Sequence, residues 1–190
     1  MQPPSRCPWT NNNPLMIDYH DKEWGVPVHD DYKHFEFIIL DAFQAGLSWQ
    51  TIINKRENFR KAFDGFDFEK IARYDEKEYL RLMNDSGIIR NRMKIQATIA
   101  NAKAFNNIRK EYGSFDKYIW QFTKYQTIKN NWKTIGEVPA RSRESDMMSK
   151  DLIRRGFKFV GSTICYAYMQ AAGMVNDHLT ECFRYHKVAL

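Results

Sequence analysis

Four residues near the two ends of the chain carry the most pointed chemistry. Cys7 and His20 stand near the start with twelve residues between them, and His178 and Cys182 stand at i and i+4 near the end. If that last segment is helical, both side chains project from one face a turn apart and can share one ion. Two thiolates and two imidazoles complete a tetrahedral zinc shell, and four protein ligands leave no position open for catalysis. Such a zinc would be structural, clipping segments 7–20 and 178–182 together across a very long loop. The outer spacing matches no standard finger. On spacing alone, two buried cysteines and two ordinary histidines remain the alternative.

A second set is aromatic. The chain holds 5 Trp, 10 Tyr and 13 Phe, and Trp9, Tyr19, Trp24 and Trp49 fall in its first 50 residues. Aromatic rings can stack on an extracted base or attract a cationic one through the ring face. Most such residues simply fill a core. Asp41 interrupts the apolar run Phe37-Ile38-Ile39-Leu40 and precedes Ala42-Phe43. On a helical wheel it shares a face with His34, Phe37 and Gln44. That face is solvent or the wall of a polar-tipped pocket, and the wheel by itself favours solvent.

A third set is basic. Between Ile88 and Lys110 lie Arg90, Arg92, Lys94, Lys103, Arg109 and Lys110 with no Asp or Glu, which equals the whole chain's formal net charge of +6. Lys150, Arg154, Arg155 and Lys158 form a second knot, offset by Asp151. Basic patches on a near-neutral body suit a polyanion partner, and a solvated helix face explains them equally well. The run starts at a reversal. Leu82 to Ile95 reads as an amphipathic helix, then Gly87, then a second helix. Gly87 can take positive φ there. The following helix start offers free backbone N–H groups to a phosphate oxygen, with Arg90, Arg92 and Lys94 around it. Such contacts hold a nucleic-acid backbone without reading sequence. An ordinary helical hairpin with a charged exterior is the alternative.

The elements that must position these sets are helices. Phe35, Ile38, Ile39 and Ala42 form one apolar stripe, and Ile88, Ile95, Ile99 and Ala102 another. Ser48 is expected to cap a helix running to Phe63, Asp75-x-x-Glu78 is a capping-box pattern, and Ser114 and Ser145 are expected caps for two more. Gly161 to Met174 reads as the central buried helix. Alternating strand pairs with tight turns are absent from the sequence, so the fold class expected is all-α, as a single domain over 1–190.

Composition narrows the function classes. The chain is 43% apolar and 27% charged, which rules out disorder and a disulfide-stapled miniprotein. No apolar run approaches the ~18–20 residues that cross a bilayer, and Met1 to Trp9 lacks the apolar core of a secretory signal. Three cysteines, an odd number, favour a reducing cytoplasm. Nothing demands more than a monomer, and the tail after Cys182 carries no usable pattern.

Taken together, the motifs resemble those of the type I 3-methyladenine DNA glycosylases. The matching residues are Tyr19-His20-Asp21-x-Glu23-Trp24-Gly25-Val26-Pro27, Gln44-Ala45-Gly46-Leu47-Ser48-Trp49, Lys55-Arg56-Glu57-Asn58, Gly87-Ile88-Ile89-Arg90 and Lys94-Ile95-Gln96-Ala97. They continue through Arg155-Gly156-Phe157-Lys158-Phe159-Val160-Gly161, Thr163-Ile164-Cys165-Tyr166 and Val175-Asn176-Asp177-His178. The resemblance runs from Cys7 to about Cys182.

The resemblance implies a helix-hairpin-helix glycosylase fold, with the hairpin over about residues 75–110 gripping phosphates through Gly87 and its basic neighbours. It implies one structural zinc on Cys7, His20, His178 and Cys182, and no redox cofactor. It implies a base pocket in which Trp49 stacks on the damaged base, Tyr19 and Asp41 meet its edge, and Trp9 and Trp24 wall the site. Gly46-Leu47 would lie at the gap left by the extruded nucleotide. The implied substrate is 3-methyladenine in double-stranded DNA, removed by a monofunctional enzyme; Asp41, if ionised in a dry pocket, would add Coulomb attraction to the cationic base. Two positions depart from the family: Asp41 stands where Glu is usual, and Met16 where Tyr is frequent. Asp keeps the charge but loses roughly 1.5 Å of reach. These departures leave a rival, a DNA-binding protein of the same fold without excision. A zinc hydrolase and a protein-interaction domain are more distant rivals.

Overall fold

A computed structural model describes residues 4–188. The outermost residues of the single domain expected over 1–190 lie outside the described residues. Among these, most helices begin where a polar side chain answers backbone N–H groups that the helix leaves unpaired. α1 (Pro14–Lys22) starts under Asn13, which accepts from the N–H groups of Leu15 and Met16. α2 (Asp31–Gln44) is capped by Asp30, and α3 (Trp49–Ala62) by Ser48 as expected. Asp67 caps the single turn of α4 (Phe68–Ile71), and Asp75 caps α5 (Glu76–Asn84). Asn91 opens α6 (Arg92–Tyr112), and Gly113, in the left-handed region, closes it. α7 (Phe115–Ile119) starts under Ser114.

α8 (Arg143–Arg154) corrects one expectation. Its cap is Ser142, and Ser145 is the reciprocal partner, accepting from the Ser142 N–H at 2.8 Å. The serine read as the cap therefore lies inside the first turn. α9 (Ser162–Ala171) follows Gly161 with no side-chain cap. Ile88 belongs to the turn before α6 and is buried from there, not from the helix stripe. One parallel strand pair, Ile128–Lys129 beside Val175–Asn176, adds two residues per strand to the helical frame.

α2 is the axis of the molecule. It packs against α3, α6, α7 and α9, and ten of its residues are buried. Phenylalanine rings fill the joints. Phe105 stacks on Phe115 at 4.1 Å between centroids, and Phe43 meets Phe59 edge to face at 4.7 Å. α9 is buried along Cys165, Tyr168 and Met169. Cys165 turns its thiol to the Val160 carbonyl at 3.2 Å.

Candidate functional site

A cavity of about 560 Å³ opens between α1, α2, α3 and α9, within the ~300–1,000 Å³ typical of small-ligand clefts. Five residues singled out from sequence line it: Trp9, Tyr19, Trp24, Asp41 and Trp49. They arrive from different elements. Trp9 comes from a 3-10 turn over Pro8–Thr10, Tyr19 from α1, Trp24 from just after α1, Asp41 from α2, and Trp49 opens α3. Tyr19 and Trp49 stand 5.1 Å apart, and Trp9 meets Trp24 edge to face at 5.0 Å. Met16, buried beside Tyr19, also lines the cavity.

Asp41 does not face solvent. It is 2% exposed, and among the described residues its Oδ2 has no hydrogen-bond partner. The wheel misled because α2 is buried on nearly all sides, so no face of it reports solvent. Burial pushes the Asp41 carboxyl well above the usual carboxylate range, and the Arg56 guanidinium opposes this only weakly. Desolvation in the cavity thus works against ionisation of Asp41. Trp49 Nε1 is likewise buried without a partner.

Behind the rings lies a buried ion network. Arg56 donates through Nη1 and Nη2 to the two Glu23 oxygens, both at 2.7 Å, and through Nε to Glu36 at 2.8 Å. Its guanidinium lies 5.8 Å from the Tyr19 ring centroid. Glu23 belongs to the motif carrying Tyr19 and Trp24, so this network ties α3 to that segment. The sequence reading passed over Asp177. This buried carboxylate lines the cavity and accepts from Asn130, Trp132, Tyr166 and Gln170 at 2.7–2.8 Å. Four donors on one side chain leave no signal in local spacing.

Cys7, His20, His178 and Cys182 are brought together and buried, with their ligand atoms all within 4.8 Å of one another. Cys182 Sγ lies 3.4 Å from His20 Nε2 and 3.5 Å from His178 Nδ1, and Cys7 Sγ lies 3.7 Å from His178 Nδ1. A tetrahedral ion with Zn–S ~2.3 Å and Zn–N ~2.05 Å sets sulfur and nitrogen about 3.6 Å apart. The donor set therefore fits a metal of that kind. The far nitrogens are also engaged: His20 Nδ1 meets Asp21 at 2.7 Å, and His178 Nε2 meets the Trp24 carbonyl at 3.0 Å. Such outer contacts fix ring tautomer and orientation. Segment 178–182 is built of turns and not the helix that the i, i+4 spacing suggested. A Cys182 N–H to Leu179 carbonyl bond of 2.8 Å performs the folding back.

One turn borders the cavity, and a second carries the basic residues. Gln44 to Leu47 forms a tight reversal, with Gly46 at φ 77° and the Leu47 N–H on the Gln44 carbonyl at 2.6 Å. Leu47 at its tip is 40% exposed. The second turn joins α5 to α6 and presents Arg90 and Arg92 to solvent. Gly87 does not take positive φ. Glycine is needed there for room, since a Cβ would stand 2.9 Å from Asp85 Oδ1 and 3.2 Å from Asn58. Gly87→Ala is expected to cost about 1–3 kcal/mol by overpacking, read as a lower urea midpoint at unchanged m-value.

Lys94 does not share the solvent-exposed surface of Arg90 and Arg92. It is 7% exposed, and its ammonium donates to the carbonyls of Phe43 at 2.8 Å and Ala45 at 2.6 Å. Its position on the buried stripe of α6, in step with Thr98, Asn101, Phe105 and Ile108, was the missed signal. The basic excess is also partly internal. Arg109 pairs with Asp31 and Glu69, and Arg155 with Asp151 and Glu111. No helix among the described residues is long and apolar enough to cross a membrane.

Comparison with known proteins agrees with this geometry. The methyladenine glycosylase family model matches residues 9–185. DNA-3-methyladenine glycosylase 1 of Escherichia coli K12 is 48% identical over 180 residues, covering 95% of this chain and 96% of the relative. A crystal structure of a 3-methyladenine DNA glycosylase I superposes with a TM-score of 0.92 at 47% identity, covering 94% of this chain and 98% of the other. The 3-methyladenine DNA glycosylase I of Staphylococcus aureus, solved to explain its 3-methyladenine recognition, gives 0.91 at 31% identity, covering 94% and 95%. With nearly the whole chain matched in sequence and in fold, the protein belongs to the methyladenine glycosylase family.

Proposed function

We propose that this protein hydrolyses the N-glycosidic bond of 3-methyladenine in double-stranded alkylated DNA, releasing the free base and leaving an abasic site. The observation that carries the reading is the pair of buried, unpartnered polar atoms, Asp41 Oδ2 and Trp49 Nε1, in one ring-lined cavity. Folded proteins leave few such atoms without a use. A flat purine suits this pair, because its amino edge donates to the Asp41 carboxylate and its face stacks on the Trp49 ring.

Methylation at N3 makes the ring cationic and weakens its bond to C1′. That bond breaks with its electron pair leaving on the base, which neutralises the ring. Water adds at C1′ and gives its proton to solvent. The protein's task is selection. A cationic ring is drawn to the face of Trp49 more than a neutral one, with Tyr19 and Asp41 at its edge. A nearby cation also favours the ionised carboxyl, so Asp41 sheds its proton when the alkylated base enters. Normal adenine brings no such charge and meets a neutral acid.

The α5–α6 unit acts as the helix-hairpin-helix grip, with Arg90 and Arg92 on backbone phosphates, and Gly46-Leu47 fills the gap left by the extruded nucleotide. Cys7, His20, His178 and Cys182 hold one zinc in a closed shell whose job is structural. The reading is tested by incubating the purified protein with N-methylated duplex DNA and separating released bases by chromatography. Free 3-methyladenine is expected. Its absence, with DNA binding intact, would establish the non-excising rival instead.

A further inference from the structure

We propose that Lys94 is a positioning residue that locks the Leu47 turn to the phosphate-gripping hairpin, and so acts in nucleotide extrusion. The inference rests on the glycosylase reading above. Its ground is the destination of one buried ammonium. Among the described residues Lys94 has no carboxylate partner; its Nζ reaches the carbonyls of Phe43 and Ala45. These belong to the last turn and C-cap of α2, where helical carbonyls lack partners and the dipole favours a cation. Burying an ammonium is costly, and burial here lowers the Lys94 pKa. An apolar residue would fill the space more cheaply, but it would not hold two carbonyls in place.

Those two carbonyls bracket Gln44 and sit at the root of the turn that carries Gly46 and Leu47. Lys94 itself lies in the first turn of α6, four residues after Arg90 and two after Arg92. A second lysine ties the hairpin from the other side: Lys55 of α3 donates to the carbonyls of Ser86 at 3.3 Å and Gly87 at 3.1 Å. Leu47 and the hairpin therefore cannot shift independently. A wedge helps extrusion only at a set height above the phosphates, and a displacement on the order of 1 Å can cost about 10²-fold in rate. Lys94 does not line the cavity, so recognition of a base already extruded does not need it.

The test compares Lys94→Met with wild type in single-turnover release of 3-methyladenine from one N-methylated oligonucleotide, annealed or single-stranded. Free 3-methyladenine binding is followed by tryptophan fluorescence. Release from duplex should fall about tenfold or more, while single-strand release and free-base affinity stay within about twofold. Lys94→Arg should recover part of the loss. In a Leu47→Ala background, Lys94→Met should cost no more than about twofold further, because both changes remove one device. Lys94→Gln carries the same comparison if the methionine variant does not fold. Equal loss on duplex, single strand and free base would mean a merely structural lysine and overturn the proposal. Unchanged duplex release, or full additivity with Leu47→Ala, would overturn it as well. Wild-type protein that releases no base from either substrate sinks the glycosylase reading and this proposal together; wild-type release matched by the variant sinks the proposal alone.

Discussion

Asp41→Asn is expected to slow 3-methyladenine release by about 10- to 100-fold, since hydrogen bonds to a charged group contribute about 1.5–3 kcal/mol. The amide keeps the shape and an acceptor oxygen but cannot become an anion when a cationic ring arrives. The pH dependence carries the same signature. Because burial holds the free carboxyl's pKa well above the usual range, kcat/KM should rise with pH as Asp41 loses its proton, and Asp41→Asn should flatten that limb. Stability moves the opposite way. A folded-state pKa above the unfolded value stabilises fully below about pH 3.9 and loses that contribution as pH climbs toward the raised value. The melting temperature of the variant should therefore gain on wild type as pH increases from about 4. Unaltered release by Asp41→Asn would remove the residue from the mechanism, and a pH-independent gap in melting temperature would place the carboxyl in water.

Cys182→Ser is expected to abolish stoichiometric metal binding and to lower the melting temperature by about 6–12 °C. Structural zinc binding is worth on the order of 10 kcal/mol in small peptides. Loss of even ~3 kcal/mol of it moves a chain of this size by that amount. Elemental analysis and a thermal scan, repeated on wild type after strong chelation, measure both effects. The clasp also borders the cavity: His178 meets the Trp24 carbonyl, and the Trp24 and His178 rings lie 4.6 Å apart. Metal-free protein should consequently bind free 3-methyladenine more weakly while retaining the groups that select it. A serine variant with wild-type metal content and melting temperature would show that these four side chains are no metal site.

Helix starts at Ser48, Asp75 and Ser114 were readable because capping is a local transaction between a side chain and backbone two or three residues on. The displaced cap at Ser142 shows the limit. In Ser142-x-x-Ser145 both serines accept a backbone N–H, and local spacing does not say which one lies outside the helix. The tail after Cys182 had no pattern. Residues 183–188 are held by distant partners, with Asn176 donating to the carbonyls of Tyr185 and Val188. Asp177 was hidden for the same reason: its four donors come from α9 and from the segment around Asn130.

By itself the sequence determined the chemical inventory: two thiols and two imidazoles able to hold an ion, a set of rings, one acid among apolar neighbours, a basic reversal and the helices that carry them. Only the tertiary structure decided where each charge points. Asp41 turned inward without a partner, Lys94 turned inward onto two carbonyls, and Arg109 and Arg155 were spent on internal pairs, while Arg90 and Arg92 stayed in water. Residue type states what a side chain is able to do. Desolvation states what it does, and that is set by elements packed against it from elsewhere in the chain.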